Sequence, residues 1–232
     1  MSIRNAICII PARGGSKRIK NKNITDFNGK PLISYSINLA KKSKLFERII
    51  VSTDSEAIAK ISLKCGAEVP FRRSKKLSDD FTGTTDVLKD CISRTNTKNF
   101  KYHFCIYPTA PLINERDLKE AFAKIKNKNY DCIIATAEYG SNPLRAFKTS
   151  NDKINFKWKK FANKRSQDLE TLTYDSGTFY LYNTKKLMKL RNILPERTSH
   201  YKIDRLRAID INDLEDLKFA EYLYKFNKIK NK

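Results

Sequence analysis

The chain has 232 residues, 40% hydrophobic and 31% charged, the composition of an ordinary globular domain and not of a disordered chain. No window approaches the roughly 18 uninterrupted apolar residues of a membrane span, and the first apolar run, Ala6 to Ala12, contains Pro11 and leads into a basic loop where a signal peptide would have a cleavage site. The formal net charge of +22 admits nucleic-acid binding or steering of anionic small molecules, but the lysines are spread along the whole chain and form no basic arm.

Asn5 to Ile10 (NAICII) is near-continuously apolar and β-branched, the pattern of a buried parallel strand. It passes through Pro11 into ARGGSKRIKNKN, a loop rich in Gly, Lys and Asn. Pro31 opens a helix, LISYSINLAKKS, with Leu32, Tyr35, Ser36 and Leu39 at helical spacing. Arg48 to Asp54 (RIIVSTD) is a second strand whose apolar run ends in polar residues, where a strand would meet a helix. The helix SEAIAKISLKCG follows, closed by Gly66. Glu68 to Phe71 is a short strand candidate, Leu77 to Thr85 a polar loop, and Thr85 to Thr95 a helix. Tyr102 to Tyr107 is a buried strand that ends at PTAP, Glu115 to Lys126 an amphipathic helix, and Asp131 to Thr136 a further strand.

Beyond Tyr139 the pattern changes. The stretch to about Asp175 is polar, aromatic and basic, with short alternating pieces such as KINFKW, and reads as an inserted β-rich arm. Thr178 to Tyr182 returns to strand, Ala208 to Ile211 is a last short strand, and Leu214 to Asn227 a terminal helix. Alternating strands and helices predict an α/β fold: a mostly parallel sheet with helices on both faces, and ligands at the carboxyl ends of its strands. The five cysteines have no metal-ligand spacing and there are only two histidines, so a zinc site is not expected; Cys8, Cys105 and Cys132 fall inside strands and read as small core residues.

Three clusters carry candidate chemistry. The first loop sets Arg13, Lys17, Lys20 and Lys22 around Gly14 and Gly15 directly after a buried strand. Glycine lets backbone N–H groups approach an anion, and the cations neutralise phosphate. The loop is neither GxxxxGK[ST] nor GxGxxG, so a phosphate site competes with a merely solvated basic loop. The second cluster is Asp210 with Asn212, Asp213, Glu215 and Asp216, read either as magnesium ligands or as the cap and first turn of the terminal helix; capping explains Asp210 less well than the others. The third, RSQDLETLTYDSG, combines Arg165, Gln167, Asp168 and Asp175. It suits a carboxylated, hydroxylated sugar, and reads equally as a surface loop.

Taken in order, IIPARGGSKRIKNKN, RIIVSTD, FRRSKKLSDDFTGTT, YPTAPL and IDINDLEDL resemble the acidic-sugar cytidylyltransferases, the family of CMP-sialic acid synthetases, over essentially the whole chain. YPTAPL, PLRAFK and RSQDL with YDSGTFYLY are similar to the branch that acts on pseudaminic acid. The resemblance implies a Rossmann-like sheet with a small dimerisation arm at about 139–175, a cytoplasmic homodimer, Mg²⁺ as cofactor, CTP and an acidic nine-carbon sugar as substrates, and no nucleic-acid or membrane partner.

The resemblance also implies roles. Ala12, Arg13, Gly14, Gly15, Ser16 and Lys17 would hold the triphosphate, Lys22 and Asn23 would lie near phosphate and base, and Arg72 beside the cytosine with Thr84 or Thr85 as hydroxyl contact. Tyr107, Arg165, Gln167 and Asp175 would meet the sugar. Asp210, with Arg13 and Lys17, would be catalytic, and Asp210 and Asn212 would hold the metal. The sequence departs from the family twice: Asn212 stands where a second aspartate is expected, and Arg73 where many relatives have proline. Sialic or legionaminic acid as acceptor, a nucleic-acid-binding module and an inactive CTP-binding homologue are the competing readings.

Overall fold

The computed structural model describes residues 5–191 and 194–230. In chain order the elements are β1 (Ala6–Pro11), β2 (Asp26–Phe27), β3 (Lys30–Pro31), α1 (Leu32–Ser43), β4 (Arg48–Ser52), α2 (Glu56–Lys64), α3 (Thr84–Arg94), β5 (Tyr102–Ile106) and α4 (Glu115–Lys128). They continue with β6 (Cys132–Glu138), β7 (Phe147–Ser150), β8 (Lys153–Phe156), β9 (Thr173–Asn183), α5 (Thr184–Lys189), β10 (Thr198–Lys202) and α6 (Leu214–Lys230).

Six strands form one sheet in the order β10-β6-β9-β5-β1-β4. β1 runs parallel to β4 and β5, and β10 parallel to β6; β9 lies antiparallel between β5 and β6. The α/β sheet is therefore mixed, with one reversed strand at its centre. Successive residues of β1 serve opposite faces, as the period of two requires. Cys8 and Ile10 pack with Ile33 and Ile37 of α1 and Leu118 of α4, whereas Ile7 and Ile9 pack with Leu88 and Ile92 of α3 and Leu187 of α5. Helices thus cover both faces, which is why β1 could be apolar throughout and β5 apolar but for His103. A third cluster joins Phe27, Leu32 and Ile211 to Leu217, Ala220 and Leu223 of α6, and so anchors the stretch before α6 beside the first loop.

Cys8, Cys91, Cys105 and Cys132 are buried free thiols, pushed up in pKa by desolvation, as core residues should be. No helix among the described residues is long and apolar enough to cross a membrane.

Three local expectations need correction, and one strand was not expected. Ala208 to Ile211 is not a strand: Ala208 and Ile211 are buried, but the Ile211 carbonyl accepts from the Lys22 ammonium (2.7 Å) instead of a neighbouring strand. One edge of the sheet is β10, whose sequence TSHYK shows little of the usual pattern. Glu68 to Phe71 contributes only the isolated bridge Ile50–Glu68; a second, Thr53–Arg72, lies just after it. Finally, β9 begins at Thr173, so the last residues assigned to the arm already belong to the sheet. The arm's core is the β7–β8 hairpin, turned by Asn151 and Asp152 at positive φ, and every residue of β7 is exposed.

Candidate active site

The loop after β1 is pinned by its own backbone. Ala12 N–H donates to the Ser52 carbonyl (2.9 Å) and Gly14 N–H to Asp54 Oδ1 (2.8 Å). Gly14 sits close against the N-cap of α2: a Cβ there would lie 3.0 Å from Ser55 Cβ, so a side chain would push on that residue. Asn23, almost buried, donates to the Arg13 carbonyl (2.9 Å) and ties the two ends of the loop together. Arg13 and Lys17 project from this frame toward the segment before α3. Arg13 Nη1 donates to the Asp79 carbonyl (2.6 Å) and pairs with the Asp80 carboxylate (2.6 Å), and Lys17 Nζ pairs with the other Asp80 oxygen (2.5 Å). Both cations hold the Asp80 carboxyl below its usual pKa, Lys17 more than Arg13.

A cleft of about 440 Å³ opens between this loop, the carboxyl ends of β1 and β5, and the bulge of β9. Arg13, Ser16, Lys22, Asn23 and Arg73 line its cationic side, with Asp79, Asp80 and Asp210 as acidic counterparts and Thr82, Thr84, Tyr107 and Tyr180 as hydroxyls. Burial lowers the pKa of Lys22, partly offset by Asp210; burial also lowers that of Arg73. Tyr107 is steadied through its carbonyl, which accepts from Ser36 Oγ (2.9 Å), and through its hydroxyl, which lies 2.5 Å from Thr84 Oγ1.

A second recess of about 420 Å³ adjoins the cleft, sharing Thr84, Tyr107 and Tyr180 with it. Thr85, Ile134, Thr136, Tyr174, Asp175 and Tyr182 complete much of its wall. It owes its shape to β9, which slips register between Ile134 and Thr136. In that bulge Asp175 accepts from Gly177 N–H (3.0 Å) and from the Tyr180 hydroxyl, and Gly177 takes φ +62. A Cβ on Gly177 would lie 3.2 Å from the Asp210 carboxylate, so the bulge of β9 and the stretch before α6 meet at this point.

Asp210 carries the metal question. Asn212 turns its amide toward Asp210 (Nδ2 to Oδ2, 3.0 Å), while its Oδ1 accepts from Arg18 (2.9 Å). Asn212 is thus committed on both sides, and no group of three His, Cys, Asp or Glu side chains converges among the described residues. Asp213 and Asp216 cap α6: Asp213 accepts from the backbone N–H of Glu215 and Asp216, and Asp216 from that of Asn212 and Asp213. What remains is one carboxylate facing a cationic cleft. That fits a magnesium ion, which keeps several waters and takes one or two carboxylates plus substrate phosphates.

With the geometry in place, comparison with known proteins decides the family. The cytidylyltransferase family profile matches residues 7–230. The chain belongs to the cytidylyltransferase family. Over 224 residues it is 41% identical to the pseudaminic acid cytidylyltransferase of Campylobacter jejuni subsp. jejuni serotype O:2, covering 95% of this chain and 97% of that one. The CMP-N,N'-diacetyllegionaminic acid synthase of the same organism is 32% identical, with 97% of both chains covered. A CMP:2-keto-3-deoxy-manno-octonic acid synthetase solved with CTP superposes with TM-score 0.72 over 96% of this chain and 99% of that one; at 16% identity it supports the fold alone.

In this cytidylyltransferase, Arg13, Ser16, Lys22, Asn23, Thr84, Tyr107, Asp210 and Asn212 line one cleft, and Thr85 and Asp175 the adjoining recess. Arg72 does not enter either. It pairs with Glu56 of α2 (2.5 Å), and its neighbour Arg73, buried and donating to Ser78 Oγ (3.1 Å), lines the cleft. On extended backbone consecutive side chains point to opposite sides, so only one of the two arginines can face the site. Arg165 and Gln167 sit on an exposed turn of the arm, with Arg165 forked onto Asp168 (2.7 and 3.1 Å), and they line neither cavity of the single chain. Sequence reasoning passed over Arg18, Asp80, Gly177 and Tyr180. Only the alternation of FRR could have favoured Arg73.

Proposed function

We propose that this chain transfers CMP from CTP to pseudaminic acid, releasing pyrophosphate. The observation that carries the reading is the pairing of a cationic glycine-loop cleft with a tyrosine-walled recess through Thr84, Tyr107 and Tyr180. The cleft suits a nucleoside triphosphate, and the less polar recess suits an acceptor bearing acetyl groups, as the name of the diacetyllegionaminic acid relative describes. The anomeric hydroxyl attacks the α-phosphorus in line: a sugar oxygen–phosphorus bond forms, the bond to the pyrophosphate oxygen breaks, and the hydroxyl proton leaves to solvent. The chain's contribution is positioning and charge neutralisation. Arg13 and Lys17 hold the phosphates, Lys22 and Arg73 add fixed positive charge inside the cleft, and Asp175 and Tyr180 shape the acceptor side. Mg²⁺, when bound, would neutralise charge on the phosphate oxygens, and Asp210 would be its protein ligand.

We place the reaction in the cytoplasm, where CTP is made, and in a homodimer. The exposed β7–β8 hairpin, with Phe147 50% and Ile154 61% accessible, offers apolar surface to a second copy. Arg165 and Gln167 would reach a sugar only in such a pair. The test is pyrophosphate release from CTP and Mg²⁺ with pseudaminic, legionaminic and N-acetylneuraminic acids in parallel. Release with pseudaminic acid is the expected result. Release with another acid alone overturns the acceptor, and no release with any overturns the activity.

A further inference from the structure

The segment from Lys76 to Thr82 is a flap on the cleft wall. It makes its own shape: Asp79 Oδ1 accepts from the backbone N–H of Phe81 (3.0 Å) and Thr82 (2.7 Å), and Thr82 Oγ1 donates to the Lys76 carbonyl (3.1 Å). Its tie to the glycine loop is different in kind. Arg13 grips the Asp79 carbonyl and one Asp80 oxygen, and Lys17 grips the other. Phe81, at the tip, is 94% exposed. The flap is therefore latched onto the two cations that the proposed function assigns to the triphosphate.

We propose that Asp80 is a built-in competitor for the phosphate site. It closes the flap in the nucleotide-free chain, CTP opens the flap by taking Arg13 and Lys17 from it, and its return helps to expel pyrophosphate. The inference rests on the reading of Arg13 and Lys17 as phosphate ligands. A carboxylate and a phosphate offer these cations the same kind of charge-assisted acceptor, so both cannot hold the same N–H groups at once. The exchange is easily reversed, because ion pairs as solvent-accessible as these are individually weak. A latch of this strength sets a ceiling on polyphosphate affinity without blocking entry.

The test is calorimetric titration of pyrophosphate, and separately of CTP, into the full chain with a chelator present, comparing wild type with Asp80→Asn and Asp80→Glu. Asp80→Asn should bind both ligands about three- to tenfold more tightly, the scale of two exposed ion pairs, and Asp80→Glu should stay near wild type. A second measurement does not depend on altering Asp80. A Phe81→Trp chain, whose only other tryptophan is Trp158 on the arm, should change its emission when pyrophosphate is added. Equal or weaker binding by Asp80→Asn, or unmoved emission of the Phe81→Trp chain at saturating pyrophosphate, overturns the competitor role while leaving the phosphate site standing. Failure of wild type and Asp80→Asn alike to bind either ligand overturns both the latch and the assignment of Arg13 and Lys17.

Discussion

Gly177→Ala probes the point where β9 and the stretch before α6 meet. Gly177 lies at φ +62, a conformation that costs an L residue about 1–2 kcal/mol. The new Cβ would also lie 3.2 Å from both Cγ and Oδ2 of Asp210 and 3.3 Å from its Cβ, closer than the roughly 3.5–4.0 Å optimum between carbon atoms. The contact is tight without being impossible, so Asp210 yields by a few tenths of an ångström and the bulge survives. At roughly 2–4 °C per kcal/mol for a chain of this size, the melting temperature should fall by about 2–8 °C. An ångström of misplacement can cost about a hundredfold in rate, so the smaller shift should lower kcat about tenfold with the KM for CTP little changed. Scanning calorimetry and pyrophosphate release at saturating Mg²⁺ read the two effects separately. An unchanged melting temperature refutes the strain argument, and a lowered one with wild-type kcat refutes the role given to Asp210.

With Lys17 holding the phosphates as proposed, Lys17→Ala should lower turnover by about a hundredfold; unchanged turnover removes Lys17 from the mechanism. His103 is buried between Thr184 Oγ1 (2.7 Å) and Thr97 Oγ1 (3.1 Å), and desolvation lowers its pKa from 6.5 to about 3. The folded chain therefore keeps this imidazole neutral where the unfolded chain protonates it. Stability is intact above about pH 6.5 and declines below it, by about 2 kcal/mol at pH 5. Urea titrations at pH 7 and 5 should show the gap between wild type and His103→Gln narrowing by that amount; a constant gap rules out the titration. Asp117, buried under Arg207 and Tyr201 and closing the capping box of α4 with Asn114, should cost about 3–5 kcal/mol as Asp117→Asn, measured by the same titration. Phe147→Ser with Ile154→Ser should turn a dimer into a monomer in sedimentation equilibrium; a persistent dimer places the interface elsewhere.

Much of the fold was legible because its signals are local. The strands of the parallel part are runs such as AICII and YHFCI, buried on both faces and hence apolar but for His103. The helices carry their own caps, as with Ser55 on α2. β10 was invisible for the opposite reason: TSHYK is an edge strand, and it forms through its register with Cys132 to Thr136 in β6. Ala208 to Ile211 misled because burial alone makes a short run apolar, whether or not a neighbour pairs with it. Arg72 misled because alignment to a family pattern does not resolve which of two adjacent side chains faces the site.

By itself, then, the sequence determined the glycine loop, the run of strands and helices, and the family, since each is written in neighbouring residues. Tertiary structure alone decided which side chains converge. Arg18 meets Asn212 across 194 positions, Asp80 reaches back to Arg13 and Lys17, and a one-residue parity puts Arg73 in the cleft and Arg72 outside it. The first two depend on contacts between segments far apart in sequence, whose free energy leaves no periodicity in either one.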